Sequence, residues 1–303
     1  MAALIRPEGP EPGDFHLSRR GLAGLFFAGY ALAARSADAS PITTDSVGLV
    51  TQTISVRTTN SQMPAYTARP DGRGRFPVVL VISEVFGVHE YVRDVCRRLA
   101  KSGYYAIAPD FFHRVGDPAP LTDFAEIRKI VATAGNEQVM GDIAATLGHL
   151  RRDRFADVRR MGITGFCWGG AVVWMACSRF RDFRAGVAWY GRLTPPPAGE
   201  FLAEPGRQWP VDVAHALNAP VLGLYAENDR GIPLESVNAM RLTLERYQKR
   251  GSAIVVFPGA QHGFHADYRE TYSAEAAEDG WRRLLDHFRR FGLRARVPER
   301  AAA

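Results

Sequence analysis

Apolar positions along the chain fall into two kinds of run that alternate. Residues 77–82, Pro-Val-Val-Leu-Val-Ile, are apolar without a break, which predicts a strand covered on both faces. Further runs at 104–108, 160–164, 183–189, 221–225 and 254–257 predict five more strands. Two leading segments, 51–58 and 63–68, read as a strand pair around the polar turn Thr59-Asn60-Ser61. Between strands the spacing becomes helical. At 137–151 it puts Val139, Ile143, Leu147 and Leu150 on one face. Other helices are expected at 91–102, 171–177 and 234–248, with a last one starting near Ser273. That last helix carries Glu275, Glu278 and Asp279 early and Arg282, Arg283, Arg289 and Arg290 late, which suits the helix dipole. Strand–helix alternation of this kind predicts an α/β fold, a doubly wound and mostly parallel sheet in a single domain. Residues 193–210, rich in Pro and Gly, are expected to form a surface excursion of that domain.

The first forty residues follow a different pattern. Ser18-Arg19-Arg20-Gly21-Leu22 opens a stretch of uncharged, mostly apolar residues that runs to Ala34, followed by Arg35 and Ala37-Asp38-Ala39. An Arg pair, a short apolar core and a small-x-small site in that order resemble a twin-arginine export signal. The expectation is that residues 1–39 are a signal, used by an export machinery and cleaved after Ala39, and that residues 40–303 form the mature domain, periplasmic or exported. The apolar core falls short of the roughly 18–20 residues a spanning helix needs, so no stable membrane anchor is expected.

Composition narrows the chemistry. With 46% hydrophobic and 23% charged residues, disorder is a poor fit. The net charge is +6, carried by 35 Arg and only 3 Lys, but the Arg residues are scattered, so no nucleic-acid partner is expected. Three Cys exclude a disulfide scaffold and a four-Cys zinc site. No metal-ligand spacing, phosphate loop or dinucleotide fingerprint is present, so neither metal nor cofactor is expected.

The most informative residues are Gly165-Phe166-Cys167-Trp168-Gly169-Gly170, which follow one expected strand and precede a helix. A nucleophile on a sharp strand–turn–helix corner needs small residues two positions before and after it, because strand and helix approach closely there. Gly165 and Gly169 meet that need. Cys167 would then sit at a helix N-terminus, where the dipole favours thiolate, and the Trp168 N–H could donate to an oxyanion. The acid and histidine of a triad should follow in that order. After strand 221–225 comes Ala226-Glu227-Asn228-Asp229, with Asp229 the better candidate and Glu227 a substitute. After strand 254–257 comes Gln261-His262-Gly263-Phe264, which places His262 on the loop beyond the last strand. Cys96 and Cys177 read as core residues, and His149, His215 and His287 as structural. His89, His113 and His265 are expected to flank the crevice.

These segments, with Ser83-Glu84-Val85-Phe86-Gly87-Val88 and Ala108-Pro109-Asp110-Phe111-Phe112-His113-Arg114, resemble the dienelactone hydrolase family of α/β hydrolases over about residues 50–292. The resemblance implies Cys167 as nucleophile, His262 as base and Asp229 as orienting acid, with the Val85 and Trp168 N–H groups as oxyanion donors. It implies that Glu84 modulates the resting thiol and that Arg114 binds a substrate carboxylate. A second carboxylate-binding Arg would fall at Ala266, and Arg269 lies three residues beyond. The implied activity is cofactor-free hydrolysis of a small-molecule lactone or ester through a cysteine thioester, of the carboxymethylenebutenolidase type. A thiol-based redox protein and a non-catalytic binding protein on the same fold are the alternatives.

Overall fold

A computed structural model describes residues 41–203 and 206–295, so the expected export signal lies outside the described residues. Eight strands form one sheet: β1 (Leu49–Arg57), β2 (Gln62–Pro70), β3 (Phe76–Ile82), β4 (Tyr105–Pro109), β5 (Ala156–Phe166), β6 (Phe183–Trp189), β7 (Val221–Ala226) and β8 (Ala253–Phe257). Their order is β1-β2-β4-β3-β5-β6-β7-β8. The β1–β2 and β2–β4 pairs are antiparallel and every later pair is parallel. The helices are α1 (Glu90–Lys101), α2 (Phe124–Ala132), α3 (Asn136–Leu150), α4 (Trp168–Arg179), the short α5 (Pro210–Val213), α6 (Leu234–Arg246) and α7 (Ala274–Arg290).

Burial follows the sequence pattern. All seven residues of β3 are buried, as an unbroken apolar run in a doubly covered strand requires. At the sheet edge, β1 keeps Gln52, Thr53, Ser55 and Arg57 exposed, which blunts the unpaired rim. Helix α4 buries Val172 to Cys177 without a break, so it lies inside the molecule and cannot shift without repacking the core.

The short α5 was not expected from the sequence, and two longer elements also differ from the sequence reading. β5 starts at Ala156, because Asp157 to Arg160 extend the strand while their polar side chains mask it. The nine-residue α2 was not expected. The Asp123 carboxylate caps it by accepting from the Ala125 N–H at 2.8 Å, and the helix buries Phe124, Ile127 and Val131.

Sheet order also says where a ligand should bind. The chain leaves β3 for β4 on one side and returns to β5 on the other side of β3. That reversal opens a crevice beyond the carboxyl ends of β3 and β5. The residues just past those ends are Ser83-Glu84-Val85 and Cys167.

Candidate active site

β5 ends at Phe166 and α4 begins at Trp168, which leaves Cys167 alone in the corner. Its backbone is at φ 53° and ψ −116°. A residue with a Cβ is strained there, by about 1–3 kcal/mol. A Cβ on Gly165 would lie 2.4 Å from the Gly169 carbonyl oxygen, and one on Gly169 would lie 2.5 Å from the carbonyl oxygens of Ile82 and Ser83. The two glycines let strand and helix close on each other and push the thiol outward. The Cys167 N–H donates to the Trp189 carbonyl at 3.0 Å and pins the corner to β6. Trp168 is the first residue of α4, so its N–H has no acceptor inside the helix. Val85 and Trp168 line one pocket together with Cys167 and His262.

His262 comes from the loop after β8 and meets Asp229 from the loop after β7. Its Nδ1 donates to the Asp229 Oδ2 at 2.6 Å. The other Asp229 oxygen accepts from the Gly231 and Ile232 N–H groups at 2.9 and 3.0 Å, which fixes the carboxylate. Glu227 does not take this place, since its carboxylate accepts from the Gly259 N–H at 2.8 Å. Burial pulls the imidazole down. The charges of Asp229 and Cys167 and the hydrogen bonds to both side chains outweigh it and hold His262 up at about 10. The arrangement runs carboxylate, imidazole, thiol, in the order a nucleophilic relay needs.

The remaining expected residues divide. Glu84 is fully buried, with its carboxylate engaged by the Tyr268 hydroxyl and by Arg269 Nη2 at 3.2 Å, not by the Cys167 thiol. Arg114 does not line the pocket. Its two terminal nitrogens both donate to Asp142 at 2.7 Å, and its Nε donates to Asn60 at 3.1 Å. Ala266 is buried, and the guanidinium that reaches the pocket from this loop is that of Arg269, lying over the Phe86 ring at 5.1 Å. His113 bonds to Ser61 and the Asp110 carbonyl, while His89 lines a neighbouring pocket. His265 is buried in a ring cluster and faces a separate hollow beside α7. Cys96 and Cys177 are wholly buried, which pushes both thiols well up and leaves them unreactive.

Sequence reasoning missed much of the pocket wall. Within the excursion 193–210, the described residues Phe201, Leu202, Arg207 and Trp209 line the pocket, as does Phe124 of α2. Tyr190, directly after β6, is also part of the wall. Aromatic residues inside a Pro- and Gly-rich segment were the available signal, since a purely solvated loop has little use for them. Among the described residues, no group of three or more His, Cys, Asp or Glu could hold a metal ion. No helix among them is long and apolar enough to cross a membrane.

Comparison with known proteins bears on the family and the fold. The sequence model described as "Dienelactone hydrolase family" matches residues 63–292. A relative from Methylorubrum extorquens, provisionally named a carboxymethylenebutenolidase, is 44% identical over 280 residues, covering 91% of this chain and 94% of the relative. One from Escherichia coli with the same provisional name is 43% identical over 270 residues, covering 88% and 96%. Among solved structures, a provisionally named dienelactone hydrolase from Klebsiella pneumoniae superposes with a TM-score of 0.74 at 41% identity, covering 80% of this chain and 99% of that one.

Proposed function

The chain belongs to the dienelactone hydrolase family, and from that footing we propose that it cleaves a carboxylic ester or lactone through a thioester on Cys167. The observation that carries this reading is the continuous contact of Asp229, His262 and Cys167 at the strained corner beyond β5. The Cys167 sulfur attacks the acyl carbonyl, and the N–H groups of Val85 and Trp168 stabilise the oxyanion. The C–O bond breaks as the His262 imidazolium gives its proton to the departing alkoxide. The neutral imidazole then takes a proton from water, hydroxide attacks the thioester, and the acid leaves as the thiol proton returns. Asp229 holds the imidazole with Nε2 toward the sulfur throughout. No redox step or cofactor enters.

The pocket suits a substrate with an apolar body. Its lining includes Phe124, Val172, Phe201 and Trp209 beside Arg192, Arg207 and Arg269, the last of which is paired with the buried Glu84. The test is turnover of a panel of lactones and aryl esters. Cys167→Ala should abolish it while leaving the thermal unfolding midpoint nearly unchanged, and retention of more than a small fraction would contradict the reading.

Export is part of the same proposal. Arg19-Arg20 and the Ala37-Asp38-Ala39 site support a twin-arginine signal, with residues 40–303 active in the periplasm or outside the cell. Changing Arg19 and Arg20 to Lys should leave full-length precursor in the cytoplasm. An exported wild-type protein that still begins at Met1 would contradict it.

A further inference from the structure

Tyr190 has three properties that a wall residue does not need. Its backbone is left-handed, at φ 36°, in a residue that is not Gly. It is completely buried. Its hydroxyl has no partner within hydrogen-bond distance among the described residues. The other buried tyrosines all have one. Tyr91 meets His265 at 2.5 Å, Tyr104 the Leu293 carbonyl at 3.0 Å, Tyr105 Asp153 at 2.8 Å and Tyr225 the Trp174 indole at 3.1 Å.

The backbone explains how the ring is placed. Gly191 packs against the first turn of α4 so closely that a Cβ there would lie 2.3 Å from the Ala171 nitrogen. The chain leaving β6 must turn at once, and Tyr190 takes the left-handed conformation that turns it. The Tyr190 N–H donates to the Leu224 carbonyl at 2.8 Å and locks the turn. The ring then lies 5.1 Å from the His262 ring and 5.3 Å from Phe264, in the wall of the Cys167 pocket. Burial, with Tyr91 and Glu84 nearby, keeps the phenol protonated well beyond its ordinary range, so the group is a fixed neutral donor.

Phe would fill the same space without leaving a buried hydroxyl unpaired, an arrangement that destabilises the chain. We propose that the Tyr190 hydroxyl donates a hydrogen bond to an oxygen on the acyl portion of the substrate and so selects acyl groups that carry one beside the scissile carbonyl. The inference rests on the proposed acyl transfer to Cys167. The acyl portion is assigned because it stays on the sulfur, deep in the pocket, near the buried Glu84 and Arg269 whose charges reach this hydroxyl. The alkoxide instead departs toward solvent.

The test compares 4-nitrophenyl methoxyacetate with 4-nitrophenyl butyrate, which differ by one oxygen in place of a methylene, on wild type and Tyr190→Phe. Loss of one neutral hydrogen bond should lower kcat/KM for the methoxyacetate by roughly 3- to 10-fold while the butyrate stays within about twofold. The unfolding midpoint of Tyr190→Phe should be equal to or above that of wild type, since the variant removes an unpaired hydroxyl. An unchanged ratio between the two esters, or equal losses on both, would overturn the proposal. Mass analysis of Cys167 in quenched wild-type reactions separates the two layers. With acylation present and the ratio unchanged, only the Tyr190 role fails. With no acylation by either ester, the thioester reading fails and the Tyr190 role with it.

Discussion

His262 and His265 stand three residues apart on one loop, both buried, and their surroundings drive them in opposite directions. His262 is held up at about 10 and His265 pushed down to about 3. Burial alone lowers both, because a charged imidazole loses its hydration. The difference is the company each keeps. His262 faces the Asp229 carboxylate and the Cys167 side chain. His265 faces the Tyr91 hydroxyl, sits 4.4 Å from the Trp189 ring and 5.8 Å from the Trp281 ring, and feels the Arg98 charge. One loop therefore holds a protonated imidazole beside a carboxylate and, three residues on, a neutral imidazole packed into the ring cluster of the core. The comparison shows that a buried histidine is read from its partner's charge, and that position in the chain alone does not separate the two roles.

The largest effect that would break this contrast is loss of the relay itself. His262→Ala should lower kcat for an aryl ester by roughly 10³-fold or more, as deletions within such a unit do, measured under single-turnover conditions. Asp229→Asn should come next, with a loss on the order of 10²- to 10⁴-fold, because the amide no longer fixes the tautomer or the charge. Proton NMR of that variant should show His262 titrating far below its wild-type value of about 10. His265→Phe should change turnover by no more than about threefold while costing about 1 kcal/mol of stability for the lost Tyr91 contact.

The pH dependence of stability sharpens the same contrast. The unfolded imidazole titrates near 6.5, and His265 in the folded chain refuses the proton down to about 3. Its contribution to stability is therefore lost as pH falls across that window. His262 works the other way, with its contribution complete below 6.5 and lost as pH rises through about 10. Denaturant melts of His265→Phe should lose less stability than wild type between pH 6 and pH 4. The smallest effect on selectivity is expected at Arg114. Its removal leaves the largely buried Asp142 unpaired and should cost about 1–3 kcal/mol of stability, with the ratio of anionic to neutral ester turnover unchanged.

Much of the fold was legible because its signals are local. The run at 77–82 is buried at every position, and the helical face of Val139, Ile143, Leu147 and Leu150 packs inward as spaced. The elbow was legible because a backbone constraint dictates its glycines, and their contacts give the reason. The partners of Glu84 were not legible. Tyr268 and Arg269 reach it from a loop 184 and 185 residues away, and nothing in the chain marks that pairing. Arg114 is similar, since Asp142 on α3 is an unremarkable acid until the fold brings it within reach. The excursion 193–210 falls between two strands as expected, but the place of Phe201 and Trp209 in the pocket lining depends on packing that no spacing rule encodes.

The central claim is that Cys167 carries the acyl group, and intact-protein mass spectrometry tests it most directly. Wild type mixed with an aryl ester and acid-quenched within one turnover should gain the mass of one acyl group, located by peptide mapping on Cys167 and absent from Cys167→Ala. Ester turnover with no adduct on the Cys167 peptide, or an adduct that persists in Cys167→Ala, would contradict the account.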